Sequence, residues 1–241
     1  ASICGTDVAV YEHGPGTGHR ITVGSEFGHE MVSEVVQVGK NVKDIKLGDR
    51  VYPYPRLAKG DPKRAGTTGI AAAIALKYFG CHKVMICDHS DFRLNKAKEL
   101  GFEICNNGKE DIKAKAQKIF GGAISALGET CDVDIYIDAA GADGIIETYQ
   151  SMGKVNSRMV VVAVKAGLRP IDVLAMTYGQ HAIIGSGGYF PEDVRDVMAI
   201  MQSRKWDIES IITDVYPWEQ LPQAIEKASR EEEALNVVIK Y

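Results

Sequence analysis

Ala65-Gly66-Thr67-Thr68-Gly69 leads directly into an alanine-rich run, residues 70–79, and this stretch decides the fold. Glycines before a helix permit a tight turn and close backbone approach, and a helix N-terminus attracts phosphate. The next apolar run ends at Asp88, 19 residues after Gly69. A carboxylate there can bind the hydroxyls of an adenosine ribose and repels a 2′-phosphate. The pattern predicts an NAD site formed by Gly66, Thr67, Thr68, Gly69 and Asp88; the alternative is a glycine-bounded loop before an ordinary helix.

Arg93 follows Asp88 on the next predicted helix. It is either a cofactor-binding residue that softens the preference for NAD or a solvated helix residue. Both interpretations stay open at the level of the sequence.

Helices and strands alternate after Gly69, which is typical of an α/β fold with a parallel, doubly wound sheet. Ser90 is a predicted helix N-cap, and Gly101 ends the same helix. The predicted helices cover residues 70–79, 90–100, 110–120 and 142–152, and the predicted strands cover 83–87, 102–105, 133–137, 159–164 and 181–184.

A buried apolar strand should precede the glycine stretch, because that strand delivers the loop to the edge of the sheet. Residues 55–64 instead contain four cationic side chains and two prolines, which excludes a central strand. We infer that the chain lacks this strand, through either omitted residues or a true deletion between Lys63 and Ala65.

Residues 31–54 show short alternating runs separated by glycines, which predicts antiparallel strands of a small barrel.

The composition is that of an ordinary globular protein: 241 residues, 45% hydrophobic, with a net charge of −4. Mild acidity argues against nucleic acid as a partner, and no apolar run is long enough to span a membrane. The five cysteines are scattered, which is unlike a disulfide framework and favours the cytoplasm.

Ile3-Cys4-Gly5-Thr6-Asp7 and Gly28-His29-Glu30 offer a thiol, a hydroxyl, an imidazole and carboxylates. Thiolate and imidazole are good zinc ligands, and carboxylates ligate or orient them. The spacing alone is also compatible with a buried cysteine and a hydrogen-bonded histidine.

Together with Gly48-Asp49-Arg50-Val51 and the glycine stretch, these segments resemble the zinc-dependent medium-chain dehydrogenases, the alcohol, sorbitol, threonine and butanediol dehydrogenase group. The resemblance implies a partial GroES-like β-barrel catalytic domain (1–64), a Rossmann dinucleotide-binding domain (65–205) and a C-terminal return to the catalytic domain (206–241). It implies NAD-dependent, zinc-assisted oxidation of a secondary alcohol, a polyol, diol or sugar acid, by a cytoplasmic homodimer or homotetramer.

Position by position, the resemblance makes Cys4, His29 and Glu30 ligands of one catalytic zinc. Thr6 would relay the substrate proton, and Asp7 would orient His29. The family's remaining ligand segment and its cysteine-rich structural lobe have no counterpart in this chain. Two alternatives remain: a zinc-free reductase of the quinone type, and an inactive remnant that binds nucleotide or another protein.

Overall fold

The computed structural model describes residues 1–14, 24, 28, 30–40, 42–52, 65–164 and 167–241. The chain divides into two compact units. The first unit contains residues 1–60, 212–229 and 236–241, and the second contains residues 61–211 and 230–235.

Short strands and helices of 7 to 14 residues make up both units. In chain order the described elements are β1 (Ser2–Ile3), α1 (Gly5–His13), β2 (Ser33–Glu34), β3 (Arg50–Val51), α2 (Ala65–Tyr78), β4 (Met85–Asp88), α3 (Asp91–Glu99), β5 (Glu103–Asn106), α4 (Ile112–Phe120), β6 (Gly122–Ser125), β7 (Gly128–Cys131), β8 (Ile135–Asp138), α5 (Ile145–Met152), β9 (Arg158–Val161), α6 (Val173–Gly179), β10 (Ala182–Gly185), α7 (Pro191–Gln202), β11 (Ile212–Pro217), α8 (Leu221–Ser229) and β12 (Asn236–Lys240). None of the helices in the described part of the chain is long and apolar enough to cross a membrane.

The first unit contains two small sheets. Strand β12 lies between β1, which is antiparallel to it, and β11, which is parallel. Strands β2 and β3 pair antiparallel, as predicted for residues 31–54. Helix α1 packs against α8, where Val8, Ala9, Ala224 and Ile225 are buried. Within the described residues, the first unit therefore contains two separate small sheets where the sequence predicted strands of a small barrel.

The second unit has parallel strands joined by helices, which confirms the predicted α/β fold. Strand β4 pairs with β5, and β9 lies between β8 and β10, all in parallel. The predicted strands are found with ends shifted by one to three residues. Ser90 caps α3, since its hydroxyl accepts a hydrogen bond from the Arg93 backbone N–H at 3.3 Å.

The parallel strands do not form one continuous sheet among the described residues. Strands β4 and β5 form one sheet, and β8, β9 and β10 form another. This division is expected for a doubly wound sheet without its first strand, because that strand would lie between β4 and β8. The residues predicted to replace it, 55–64, lie outside the described residues.

The C-terminal return to the first unit begins at Ile212 rather than at the predicted residue 206. The reason is apolar packing: Trp206, Ile208 and Ile211 contact the core cluster of the second unit, which includes Ile70 and Ile74. Leu235 belongs to the same cluster, and residues 230–235 accordingly belong to the second unit.

Candidate functional site

Cys4 lies at the N-cap of α1, with an extended backbone that directs the chain into the helix. The Asp7 carboxylate closes this turn, because its Oδ2 accepts a hydrogen bond from the Cys4 backbone N–H at 2.8 Å. Thr6 and Asp7 are both buried, at 8% and 3% exposure. The first turn of α1 therefore holds three of the predicted site residues in a fixed arrangement.

The surroundings of the Cys4 thiol are negative. Burial, then the charges of Asp7 and Glu30, raise the pKa of Cys4 to about 12. Hydrogen bonds to the thiolate from the Asp7 backbone and from Thr6 lower that pKa, but they do not offset the larger effects.

Glu30 reaches this region through a short antiparallel bridge with Ser2. The Ser2 backbone N–H donates to the Glu30 carbonyl at 2.7 Å, which places Glu30 beside the strand that precedes Cys4. The structure thus brings together Cys4, Thr6, Asp7 and Glu30. His29 lies outside the described residues, as does its predicted contact with Asp7.

The Cys4 thiolate would be repelled by the Glu30 carboxylate. Thiolate and carboxylate are both ligand types for a divalent cation. A cation bound there would favour the thiolate and remove the repulsion that raises the Cys4 pKa. Among the described residues, no group of three His, Cys, Asp or Glu side chains is arranged to hold a metal. The described part therefore supplies a pair of donors, Cys4 and Glu30.

The glycine stretch lies inside a helix rather than in a loop before one. Helix α2 begins at Ala65, so Gly66, Thr67, Thr68 and Gly69 form its first turns. The predicted start at residue 70 is therefore wrong, because the helix already includes the glycine stretch. The first N–H groups of a helix have no partner within the helix, and the stretch keeps its capacity to bind an anion.

Thr67 contributes to this region in a way that the sequence pattern does not show. Its hydroxyl donates to the Leu235 carbonyl at 3.0 Å, which joins α2 to residues 230–235. The backbone N–H of Thr67 is therefore its available contribution to a phosphate, and the side chain has a structural role.

Asp88 is the last residue of β4, as predicted. Its Oδ1 accepts a hydrogen bond from the Ser90 backbone N–H at 2.9 Å, which fixes the carboxylate at the end of the strand. The side chain lies where an adenosine ribose would be bound in a doubly wound fold.

Arg93 is not a solvated helix residue. Only 5% of it is exposed, and its buried Nε has no hydrogen-bond partner within the described part of the chain. Arg93 lines the same cavity as Asp88. A buried guanidinium without its full set of acceptors is costly, and an anionic or polar ligand beside Asp88 would supply one.

Asp138 ends β8 as Asp88 ends β4, and it organises the loop that follows. Its Oδ1 accepts hydrogen bonds from the backbone N–H groups of Ala140 and Gly141, at 3.0 and 2.6 Å. Nearby, Lys154 forms ion pairs at 2.5 Å with both Asp132 and Asp134.

Helix α1 is the feature of the site that the sequence interpretation missed. Its residues include Val8, Val10 and Tyr11, which are typical of strands. The available signal was the Asp three residues after Cys4, an acidic residue in the position that closes an N-terminal turn.

Two family patterns match this chain. Residues 67–203 match the zinc-binding dehydrogenase family, and residues 1–95 match the alcohol dehydrogenase GroES-like domain.

Among curated proteins, sorbitol dehydrogenase 1 of Saccharomyces cerevisiae is 25% identical over 160 residues, 66% of this chain and 44% of that protein. The match therefore spans under half the length of the yeast protein. The L-threonine 3-dehydrogenase of Shewanella woodyi is 22% identical over 314 residues, covering 100% of this chain and 89% of that protein. Since this chain has 241 residues, 314 aligned positions leave at least 73 without a counterpart in it.

A solved structure shares the fold. An alcohol dehydrogenase from Escherichia coli, in complex with NADH, superposes with a TM-score of 0.80 at 17% identity, covering 100% of this chain and 89% of that chain. The likeness at this identity concerns the fold.

Proposed function

Because the chain belongs to the zinc-binding, medium-chain dehydrogenase/reductase family, we propose that it oxidises a secondary alcohol to a ketone with NAD as the hydride acceptor. We propose a polyol, diol or sugar acid as the substrate. The observation that carries the proposal is the arrangement of Thr6, Asp7 and Glu30 around the half-buried Cys4 thiol, whose pKa is raised to about 12.

Cys4 and Glu30 would hold the zinc together with His29, and Asp7 would keep Cys4 in place through its hydrogen bond to the Cys4 N–H. Zinc, when bound, supplies a Lewis acid that favours the deprotonated form of an alcohol. The buried Thr6 hydroxyl, which lies beside the Cys4 thiol, would accept the alcohol proton and pass it outward.

The second unit would hold the nucleotide. The first N–H groups of α2, at Gly66 and Thr67, would bind the pyrophosphate, and Asp88 would bind the adenosine ribose. Arg93, buried beside Asp88, would contact the same end of the nucleotide. NAD, when bound, accepts the hydride that leaves the carbinol carbon.

The resemblance alone supports two further proposals, a cytoplasmic location and assembly as a homodimer or homotetramer. Sedimentation of the purified chain measures its state of assembly.

The function is tested on the purified full chain by elemental analysis, NADH fluorescence and alcohol oxidation followed by NADH absorbance. We expect one zinc per chain, and NADH formation with sorbitol or 2,3-butanediol that a chelator abolishes and added zinc restores. Quinone reduction by the metal-free chain would instead support the zinc-free reductase. NADH binding without turnover of any secondary alcohol would support the inactive remnant.

A further inference from the structure

Two cysteines lie opposite each other on neighbouring strands of the second unit. Cys87 belongs to β4 and Cys105 to β5, and the parallel register pairs these two residues directly. Neighbouring strands lie about 4.8 Å apart. Because a disulfide joins Cα atoms that are about 4.4–6.8 Å apart, the backbone spacing of this pair lies within the range of a bridge.

Both cysteines lie on the face of the sheet that is covered by α4. Side chains alternate between the two faces along a strand, so Cys87 shares a face with Met85 and not with Ile86. Met85 packs against the cluster that contains Ala116 of α4, whereas Ile86 packs against the core cluster that contains residues of α2. The register places Cys105 on the same face as Cys87.

The two thiols interact. A hydrogen bond between them raises the pKa of Cys87 far above its ordinary value and lowers the pKa of Cys105, and burial adds to the increase at Cys87. Cys87 therefore holds its proton, and Cys105 is the sulfur that more readily becomes a thiolate. A thiol beside a thiolate is the combination from which disulfides form.

The charges around the pair come from the start of α4 and the end of β4. Lys115 lowers the pKa of Cys105, while Glu110 and Asp111 raise it. Asp88 and Glu110 also raise the pKa of the partner thiol. Because Lys115 forms an ion pair with Glu110 at 2.7 Å, its ammonium group partly neutralises the carboxylate that acts on both sulfurs.

Access and pairing set Cys87 apart from the other cysteines, all of which lie within the described residues. Cys87 is half-buried, and its partner Cys105 is fully buried. Cys131 is fully buried as well, but its sulfur hydrogen-bonds to the Met152 carbonyl at 3.8 Å rather than to a second thiol. Cys4 has a pKa of about 12, which keeps its thiol protonated.

We propose that Cys87 and Cys105 form a peroxide-sensitive dithiol, a modification site that converts reversibly to a disulfide between β4 and β5. The Cys87 sulfur attacks one peroxide oxygen, the O–O bond breaks, and the released hydroxide leaves with the Cys87 proton as water. The Cys105 sulfur then attacks the resulting Cys87 sulfenic acid, the S–O bond breaks, and the second hydroxide leaves with the Cys105 proton as water. The two thiols thus lose two electrons, which reduce one peroxide to two waters.

The backbone spacing also predicts that the bridge is easily reduced. A separation of about 4.8 Å is shorter than the usual Cα separation of about 5.5–6 Å in disulfides. Strained disulfides are reduced more easily than relaxed ones, and they are the labile, regulatory class. The expected bridge is therefore a reversible modification rather than a permanent cross-link.

The test treats the reduced, purified full chain with a small molar excess of hydrogen peroxide, without cofactor. Trypsin places Cys87 in residues 84–93 and Cys105 in residues 99–109, so the bridge links two separate peptides. We expect a linked species that is two hydrogen atoms lighter than the sum of the two peptides. Thiols titrated in denaturant should fall from five per chain to three, and dithiothreitol should restore all five.

Two variants test the assignment at cysteines that are both 0% exposed. Cys105→Ala should abolish the linked species and leave Cys87 as a sulfenic acid, which dimedone traps. Cys131→Ala should leave the link unchanged.

The proposal is overturned when residues 84–93 and 99–109 stay unlinked after peroxide treatment of the unmodified chain, or when Cys87 is linked instead to Cys81 or to a second chain. The first of these measurements needs no variant. Because the readout involves neither nucleotide nor turnover, the result is independent of the proposed dehydrogenase activity.

Discussion

Cys4 is the N-cap of α1 and is also a proposed zinc ligand. One substitution can separate these two roles. As the N-cap of α1 it tolerates serine, which is a preferred N-cap residue. In its proposed role as a zinc ligand it would not tolerate serine, because zinc binds thiolate strongly and a neutral hydroxyl poorly.

We therefore expect Cys4→Ser to lose the bound zinc and to reduce alcohol oxidation by more than about 100-fold. Loss of a residue that only supports a metal ligand costs up to about 100-fold, and loss of the ligand itself should cost more. Elemental analysis and turnover measure the two effects, and NADH binding should persist. Cys81→Ser is the matched control, and it should retain zinc. Full zinc content in Cys4→Ser would contradict the assignment of the ligand.

Asp88 allows a test of cofactor choice that preserves the local turn. Asp88→Asn keeps an oxygen that can accept the Ser90 N–H while it removes the charge. The ratio of kcat/KM for NAD to kcat/KM for NADP should fall by about tenfold. Hydrogen bonds to charged groups contribute about 1.5–3 kcal/mol, and the neutral amide would lose part of that energy. Asp88→Gly should lower that ratio as well.

The ratio of the two kcat/KM values measures the preference in each variant. An unchanged ratio in both would place the carboxylate away from the ribose.

At the scale of elements, Tyr149 joins α5 to two strands of the sheet. Its ring is 1% exposed, and its hydroxyl donates to the Ser157 carbonyl at 2.8 Å, close to the Ala182 carbonyl at 3.3 Å. The ring also lies 5.0 Å from the ring of His181. Burial raises the pKa of Tyr149, so the hydroxyl stays protonated and donates.

Tyr149→Phe should lower the free energy of unfolding by about 1 kcal/mol, because the ring is kept and the hydrogen bond is lost. Urea unfolding measures this change. Tyr178→Phe, at a tyrosine that is 69% exposed, should change stability by less than about 0.5 kcal/mol. Equal effects of the two substitutions would show that the hydroxyl contact contributes nothing.

At the scale of the whole molecule, the two units have different predicted ligands. NADH at 100 times its Kd should stabilise the second unit by about 2.7 kcal/mol, as binding to the folded state requires. Thermal unfolding measures the gain, and amide exchange locates it. We expect slower exchange around α2 and the end of β4. Protection confined to residues 1–14 and 30–52 would contradict the placement of the nucleotide.

Local patterns predicted much of the second unit. The strands that end at Asp88 and Asp138 and the Ser90 cap were found because each depends on a few adjacent residues. The absence of a strand before α2 stays a prediction, because residues 55–64 lie outside the described residues.

Contacts between distant residues set the limit of that prediction. Helix α1 was missed because its apolar residues favour a strand locally, whereas packing against α8 stabilises the helix. The β6–β7 hairpin was missed as well. Arg93 was expected at the surface or at a ligand, and its burial depends on the packing of α3.

The sequence by itself determined the α/β class, the dinucleotide pattern and the ligand types near Cys4, because these depend on side-chain chemistry and short-range spacing. The tertiary structure alone decided two further features: a Cys4 thiol near the charges of Asp7 and Glu30, and the burial of Arg93 beside Asp88. Each of these arises where segments far apart in the chain exclude water together, and no local pattern records that burial.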